Sequence, residues 1–296
     1  MIERQLQAEY ILKSLVNFSQ VVLQYDDNRS DSYQEDVWGQ FALNPRIPNE
    51  YLGLQDLNSE IYLEIIPRNS KLSVARLARV NCSSSEDDSK NPFAESFENL
   101  FQILGFDNDL DEEETSGEFQ GRSFKSVDLV GNIIDWQDRN NDSCDDGNYF
   151  GIESSVDKDS IPNREFTFIA QLDAVPGVTA RRLHALAPFV ATYGPREGSV
   201  QNVNINTATD TVLRAIGLDQ EIQDIRLEIE TSGPLSSVPE ELIPDQRIRD
   251  MLTYQSYNFD VYGKVKYGLE RAYYMKGRVK KGFRGRPSEV ISATYF

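Results

Sequence analysis

The sequence holds few of the residues on which enzymes depend. It contains 1 histidine and 2 cysteines, and it has no glycine-rich phosphate-binding loop. The histidine, His184, is not accompanied by a nucleophile motif such as G-x-S-x-G. Two cysteines cannot build a four-thiolate zinc site or, this far apart, a CxxC redox pair. We therefore predict no catalytic residue and no enzymatic activity.

Long apolar runs are also missing. No stretch of about eighteen apolar residues occurs, so we expect no segment of this sequence to span a bilayer. The first residues, MIERQLQAEYILKS, carry charges where a signal peptide has its apolar region. We therefore expect no signal peptide in this stretch.

The two cysteines, Cys82 and Cys144, allow two interpretations. In an oxidising compartment a bridge between them would close a long loop and contribute roughly 4 kcal/mol in the chain-entropy account. In a reducing cytosol they would remain two thiols. Their polar, acidic neighbours predict exposed side chains and favour the bridge.

Basic residues are scarce in the middle of the chain. The formal net charge is −18, and residues 82–160 alone hold 21 acidic against 5 basic side chains. Residues 261–296 have the opposite balance, with 9 basic against 2 acidic side chains. Crowded carboxylates repel one another, and divalent cations are the usual relief. The alternative is a solvated acidic loop that serves solubility.

The order of predicted elements indicates an α+β protein. Apolar residues recur at helical spacing over 7–24, and a strand is predicted at 60–66, after strand-like sequence that follows a polar break at 26–36. Helices are predicted at 92–106 and 127–138, and the tail from 259 alternates like an antiparallel meander. Strands at both ends with helices between them predict an inserted helical domain. With a linker at 83–92 and an acidic loop at 107–118, we assign 1–90 and 236–296 to the scaffold and 91–235 to the insertion.

The stretch from Ile133 to Tyr149, IIDWQDRNNDSCDDGNY, is dense in aspartate and asparagine. Calcium binds six to eight oxygens of such side chains, of carbonyls and of water. The alternating spacing of Asp138, Asn140 and Asp142 copies the first half of an EF-hand loop, but the match then fails at its glycine and glutamate positions.

A second register of the same loop begins at Asp142. It places Gly147 sixth and Glu153 twelfth, as an EF-hand requires, but Cys144 third, where a hard cation needs oxygen. Neither register is a true EF-hand, so we predict a calcium site of another kind, with Asp135 at the helix end suited to capping or buttressing. The candidate metal ligands that this spacing indicates are Asp138, Asn140 and Asp142, and Asp135 is added to them as a further candidate.

Two segments resemble helix-hairpin-helix sequence, with tight turns at Gly177 and Gly217. Such turns can receive a nucleic-acid phosphate at a helix N-terminus. Residues 166–233, however, hold 5 basic and 8 acidic side chains, whereas counterion-release binding requires a positive face. We expect no nucleic-acid binding and interpret the turns as packing elements. A helix-hairpin-helix nucleic-acid binder and a calcium-dependent surface or adhesive protein are the alternative functions.

A series of segments resembles, in order, the minor pseudopilins of the K class in bacterial type II secretion systems. The most specific combination is IDWxD followed by an acidic pair and Tyr149, and then NxNTAT before VLRAIG. The segments are QAEYILKSLVNFSQVVL, IPRNSKLSVARL, FENLFQILGF, IIDWQDRNN…DDGNY, QLDAVPGVT, LAPFVATYG, VNINTATDTVLRAIG and a β-rich tail.

The resemblance implies a pilin-like fold, in which a long N-terminal helix lies on an antiparallel sheet interrupted by a large helical domain. It implies that this domain can bind calcium, with Asp138, Asn140, Asp142, Asp145 and Asp146 as the ligand pool. It implies a non-enzymatic role at the tip of a periplasmic pseudopilus, where the protein initiates or caps the filament with I and J class minor pseudopilins bound through the N-terminal helix. It further implies contact with exported substrate, a prepilin leader and a single N-terminal inner-membrane anchor outside this sequence. In two places the chain departs from the family pattern: Asn140 replaces a common aspartate, and Cys144 interrupts the acidic patch.

Overall fold

The computed structural model describes residues 2–26, 30–52, 59–80, 82, 90–108, 119, 121–140, 142–155, 161–193, 202–268, 271–282 and 286–296. The chain divides into two compact units. The first contains Met1–Arg68, Glu228–Ser237 and Tyr254–Phe296, and the second contains Asn69–Leu227 and Val238–Thr253. Most of the second unit is therefore inserted, in sequence, between the two halves of the first.

The first and last parts of the chain form the sheet, and most of the helices lie between them, as the sequence pattern predicts. The helices are α1 (Ile2–Gln24), α2 (Val37–Leu43), α3 (Pro92–Ile103), α4 (Ser126–Gln137), α5 (Ala180–Leu186), α6 (Asp210–Ala215), α7 (Ile222–Ser232) and α8 (Gln246–Arg249). The strands are β1 (Arg46–Ile47), β2 (Ser59–Pro67), β3 (Leu72–Ser73), β4 (Val190–Ala191), β5 (Val203–Asn204), β6 (Leu252–Thr253), β7 (Asn258–Tyr267), β8 (Arg271–Lys280) and β9 (Glu289–Tyr295). Short 3-10 helices lie at Asn49–Leu52, Arg68–Ser70, Val74–Arg79, Glu153–Ser155 and Ile169–Ala174.

The first unit is a long helix on an antiparallel sheet of strand order β1-β2-β7-β8-β9. Every second residue of β2 and β7 is buried, because one face of the sheet supports α1. Gly263 allows close approach of the helix: an added Cβ would lie 2.9 Å from Met275 and 3.2 Å from Leu12 and Leu15. The predicted N-terminal helix, the strand at 60–66 and the antiparallel tail are confirmed.

The segment after the polar break is a helix, α2, and not the predicted strand. Trp38 is fully buried, its ring centroid lies 5.1 Å from that of Phe259, and its Nε1 donates to Asp26 Oδ2 at 2.9 Å. A Cβ at Gly39 would overlap the backbone of Tyr33. Trp38 and the next residue, Gly39, are both buried, whereas Val37 and Gln40 are exposed, and this pattern departs from the alternation of a strand.

The second unit begins earlier in the chain than position 91. Asn69 Nδ2 donates to the carbonyl of Asn202 at 3.0 Å, and Lys71 Nζ donates to the carbonyl of Ala187 at 3.2 Å. Strand β3 pairs in parallel with β4, and β6 pairs with β5. These long-range bonds assign 69–80 and 238–253 to the second unit, which composition alone could not reveal. The linker residues 83–89 and most of the acidic stretch 107–118 lie outside the described residues.

The two glycine turns are formed as predicted, with φ of +87° at Gly177 and +97° at Gly217. The first turn is held by a buried arginine: Arg182 donates to the carbonyls of Gly177, Phe124 and Phe106 at 2.9 to 3.1 Å. A turn bonded in this way serves as a packing element of the second unit. Among the described residues, no helix is both long enough and apolar enough to cross a membrane.

Candidate metal centre

The last turns of α4 place a carboxylate inside the second unit. Asp135 is fully buried, and its two oxygens accept backbone N–H groups of Cys144 at 2.7 Å and Glu153 at 2.8 Å. Burial raises the pKa of Asp135, and these backbone hydrogen bonds oppose the shift. A Cβ at Gly151 would overlap this carboxylate, so glycine is required there. Asp135 thus ties the loop back onto the helix, which is the buttressing role expected for it.

A disulfide joins Cys82 to Cys144, with 5.0 Å between the Cα atoms. The predicted bridge is therefore present, but Cys144 is buried and not exposed as its acidic neighbours indicated. Its backbone is bonded on both sides, since its carbonyl accepts the N–H of Gly151 at 2.7 Å. Because the sulfur is bound to Cys82, it is not a free thiolate beside the oxygen ligands.

Beyond α4 the chain forms a ladder of side-chain-to-backbone bonds. Asn140 Nδ2 donates to Asp138 Oδ2 at 2.8 Å, and Asn140 Oδ1 accepts the backbone N–H of Asp142 at 2.7 Å. The alternating spacing of these three residues therefore brings them together, as the sequence predicts. Each bond turns a side chain toward its neighbour two positions away, which is the local preference of Asp and Asn.

Two further residues belong to this cluster, Glu153 and Asn163. Asn163 Nδ2 donates to Glu153 Oε1 at 3.1 Å and to the carbonyl of Asn140 at 3.0 Å. Asn163 has φ of +44°, in the left-handed region that asparagine tolerates better than most residues. It therefore connects the segment after the 3-10 helix to the acidic ladder.

Among the described residues, the carboxylate oxygens Asp138 Oδ1 and Glu153 Oε2 of the cluster are buried without a hydrogen-bond partner. Burial, followed by the charge of Asp135, raises the pKa of Asp138 to about 6. Burial, followed by the charges of Asp138 and Asp135, raises the pKa of Glu153 to about 7. Among the described residues, no basic side chain is one of the main causes of either shift. The residues thus form a set of oxygen donors that lacks a positive charge, which is the chemistry that fits a hard divalent cation.

The acidic pair Asp145 and Asp146 is placed differently. Asp146 Oδ1 accepts the backbone N–H groups of Asn148 at 2.9 Å and Tyr149 at 3.0 Å, so it shapes the turn at Gly147, where φ is +83°. Asp145 is exposed and forms an isolated bridge with Phe150. Neither carboxylate is one of the main causes of the raised pKa of Asp138 or Glu153.

Sequence reasoning found part of this cluster. Asp135, Asp138, Asn140 and Asp142 come together, whereas Glu153 was not among the predicted ligands. Its only signal is the twelfth position of the register that begins at Asp142. Asn163 gave no signal in the sequence. It follows an irregular segment, and local periodicity does not predict where such a segment leads.

A second acidic cluster lies in the first unit. One carboxylate oxygen each from Asp26, Asp31 and Asp36 lie within 4.8 Å of one another. Lys281 Nζ already lies 2.7 Å from Asp26 Oδ2 and 2.8 Å from Asp31 Oδ1. This cluster therefore has a cation supplied by the chain.

The fold is similar to that of a known secretion component. No protein-family model and no curated protein matches the chain by sequence. A chain in the crystal structure of the GspK-GspI-GspJ complex from the enterotoxigenic Escherichia coli type 2 secretion system matches with a TM-score of 0.65 and 12% identity, over 99% of this chain and 97% of that one. At this identity the likeness establishes the fold, which confirms the predicted α+β, pilin-like architecture with its inserted helical domain.

Proposed function

We propose that the protein is a non-enzymatic minor pseudopilin at the tip of the type II secretion pseudopilus. There it would assemble with I and J class minor pseudopilins to initiate or cap the filament during protein export. The observation that carries this proposal is the fold match over 99% of the chain to a member of the GspK-GspI-GspJ complex. A fold shared along nearly the whole length of both chains includes the insertion as well as the pilin-like part.

The surface of α1 supports assembly through this helix. Ala8, Leu12 and Leu15 are buried against the sheet, whereas a second set of apolar residues on the other side of α1 faces solvent. The exposed set is Leu6 (50%), Tyr10 (69%), Val21 (52%) and, one residue after the end of α1, Tyr25 (82%). Helices commonly present such a line of apolar residues to a partner helix. We infer that this set, here called the α1 outer stripe, contacts the partner pseudopilins.

We further propose that the second unit binds calcium through Asp138, Asp142 and Glu153, assisted by the amide oxygens of Asn140 and Asn163. Bound calcium would supply the positive charge that these oxygens lack. Asp135 would act as the buttress that positions the loop, because both its oxygens hold backbone N–H groups. Metal binding would then stabilise the loop between α4 and the 3-10 helix at Glu153–Ser155.

Location and filament capping follow from the same proposal. The protein would lie in the periplasm, held at the inner membrane by a single N-terminal anchor outside this sequence. The Cys82–Cys144 bridge suits an oxidising compartment. An inserted unit of this size would obstruct the addition of another subunit and so cap growth, and it would be available to exported substrate.

Co-elution with partner I and J class pseudopilins tests the proposed assembly. We expect the wild type to form a stable ternary complex in size-exclusion chromatography. The double variant Tyr10→Glu, Val21→Glu should lose it, since charged groups would enter an apolar helix contact. The matched control is Leu43→Glu, Tyr51→Glu, which changes two exposed apolar residues of the same unit outside α1.

Two results would contradict the proposed assembly. One is absence of a complex with the wild type, and the other is equal loss of complex in both double variants. Salt-dependent retention of the wild type on duplex DNA would instead support the helix-hairpin-helix alternative.

A further inference from the structure

The sheet face that points away from the α1 core is lined by tyrosines and lysines in alternation. We call this set the outer face; it comprises Tyr62 on β2, Tyr262 and Lys264 on β7, and Tyr274 and Lys276 on β8. Lys264 pairs with Tyr62 and Tyr274, and Tyr262 pairs with Lys276, so the five side chains share one side of the sheet.

The two lysines of the outer face are held by aromatic rings. Lys264 Nζ lies 5.1 Å from the ring centroid of Tyr62 and 5.9 Å from that of Tyr274. Lys276 Nζ lies 5.4 Å from the ring centroid of Tyr262. Such contacts stabilise an ammonium group over a ring face without neutralising its charge.

Two other cations on the same face each lie close to a carboxylate. Lys266 pairs with Glu60 at 3.7 Å, and Arg278 lies 3.8 Å from Asp260. Within the described residues, no carboxylate forms such a pair with Lys264 or Lys276. The two ring-held ammonium groups are thus positive charges with unused capacity for an anion.

The local charge around the outer face determines the sign of the charge that a partner must carry. Residues 261–296 carry 9 basic and 2 acidic side chains within a chain of net charge −18. A ligand attracted to this face must therefore be anionic and must recognise the local charge, because the chain as a whole would repel it.

The spacing of the lysines favours an extended peptide. Because Lys264 pairs with Tyr274 and Lys276 lies two positions further along β8, the lysines are diagonal neighbours, roughly 7–8 Å apart by sheet geometry. Side chains on one side of an extended chain repeat about every 6.8 Å. Glu60 and Glu64 of β2, on the same face, would oppose a uniformly anionic lipid surface but leave room for discrete carboxylates over β7 and β8.

Exposed rings and an open edge adjoin the lysines. Tyr274 exchanges backbone hydrogen bonds with Phe296 at 2.7 and 3.0 Å, and both rings are exposed. Strand β9 is the outermost strand of this sheet. We propose that the outer face is a docking surface for an extended acidic segment of a partner protein, whose carboxylates at alternate positions bind Lys264 and Lys276.

Fluorescence anisotropy with a labelled peptide tests this surface. The probe is a peptide of about ten residues in which glutamate and threonine alternate. We expect saturable binding that weakens with salt, and a rise in Kd of about tenfold for Lys264→Gln, Lys276→Gln, since two exposed ion pairs of about 0.5–1 kcal/mol each are lost. The matched control is Lys13→Gln: Lys13 Nζ lies 5.9 Å from the rings of both Tyr10 and Tyr295, but it lies on α1.

Melting curves of all three proteins confirm that each variant is folded before binding is compared. The proposal is overturned if the wild type shows no saturable binding of the acidic peptide. It is also overturned if the control variant loses as much affinity as the double variant. Binding of anionic phospholipid vesicles in place of the peptide, with the same dependence on the two lysines, would reassign the face to a membrane surface.

Discussion

The two acidic clusters of this protein differ in how the negative charge of their crowded carboxylates is offset. In the first unit, Lys281 lies within 2.8 Å of oxygens of Asp26 and Asp31. Backbone N–H groups complete the set, since Ser256 donates to Asp31 at 2.7 Å and Ser32 donates to Asp36 at 2.6 Å. Burial alone would lower the pKa of Lys281, but the charges of Asp31 and Asp26 and their hydrogen bonds raise it above the ordinary value.

Within the part of the chain that the structure describes, the loop cluster of the second unit has no such lysine. Asp138 Oδ1 and Glu153 Oε2 are buried without a hydrogen-bond partner, and both carboxyl groups have raised pKa values. Buried carboxylates that nothing neutralises are costly, so the chain either supplies a cation or leaves a place for one. The comparison indicates that the first cluster is a structural bridge, and it supports the proposal that the second is a calcium site.

The largest expected effect concerns the built-in cation. Lys281→Met leaves Asp26 and Asp31 buried without their common partner, and we expect a loss of roughly 3–5 kcal/mol in the free energy of unfolding. Urea denaturation followed by tryptophan fluorescence measures it. Lys280→Met, one position earlier on β8, is the control and should change stability by less than about 0.5 kcal/mol. If the two substitutions lowered the free energy of unfolding equally, Lys281 would not be the cation on which the first cluster depends, and the proposed difference between the clusters would be wrong.

Calcium should stabilise the second cluster in the way that Lys281 stabilises the first. At a free calcium concentration 100 times the Kd, the free energy of unfolding should rise by about 2.7 kcal/mol, because only the folded protein binds. Thermal melts in calcium and in chelator measure this difference. The variant Asp138→Asn, Glu153→Gln should melt at the same temperature in both. If the wild type melts at the same temperature in calcium and in chelator, the proposed calcium site is rejected.

Stability without calcium should fall as pH rises from about 4.5 to about 7. Below this range Glu153 is protonated in both the folded and the unfolded protein and has no effect. As pH rises, the unfolded chain releases the proton first, because burial raises the folded-state pKa of Glu153 to about 7. Asp138, whose pKa is about 6, adds a loss in the same direction. Denaturation at several pH values should show that the free energy of unfolding falls more steeply with rising pH for the wild type than for Glu153→Gln. Saturating calcium should abolish this difference.

The smallest expected effect separates the acidic pair from the cluster. Asp145 is exposed and is not one of the main causes of the raised pKa of Asp138 or Glu153, so Asp145→Asn should leave calcium affinity within about twofold and stability within about 0.5 kcal/mol. Equilibrium titration with calcium measures the affinity. A large loss would return Asp145 to the ligand set that the sequence predicted.

Much of the fold is visible in the sequence because local periodicity determines it. The alternation in β7 and the helical spacing over α1 predict both elements, and the position of Gly177 predicts a turn with positive φ. Where long-range contacts decide, local patterns fail. The bond from Asn69 to Asn202 sets the start of the second unit, and the contacts of Trp38 with Asp26 and Phe259 hold α2 against the core of the first unit.

The candidate site divides in the same way. The ladder of Asp138, Asn140 and Asp142 is local, so its spacing in the sequence predicts it. Glu153 and Asn163 arrive from later segments and meet the ladder only because Asp135 and the Cys82–Cys144 bridge fold the loop back. Residue spacing in the sequence cannot show which distant oxygen atoms a folded loop brings together.

Isothermal titration of calcium into the metal-free protein tests most directly whether the loop cluster is a binding site. We predict saturable binding to the wild type and at least about tenfold weaker binding to Glu153→Gln, because one negatively charged ligand is removed. Absence of binding to the wild type, or equal affinity in the two proteins, would contradict the assignment of Glu153 and Asp138 to a calcium site.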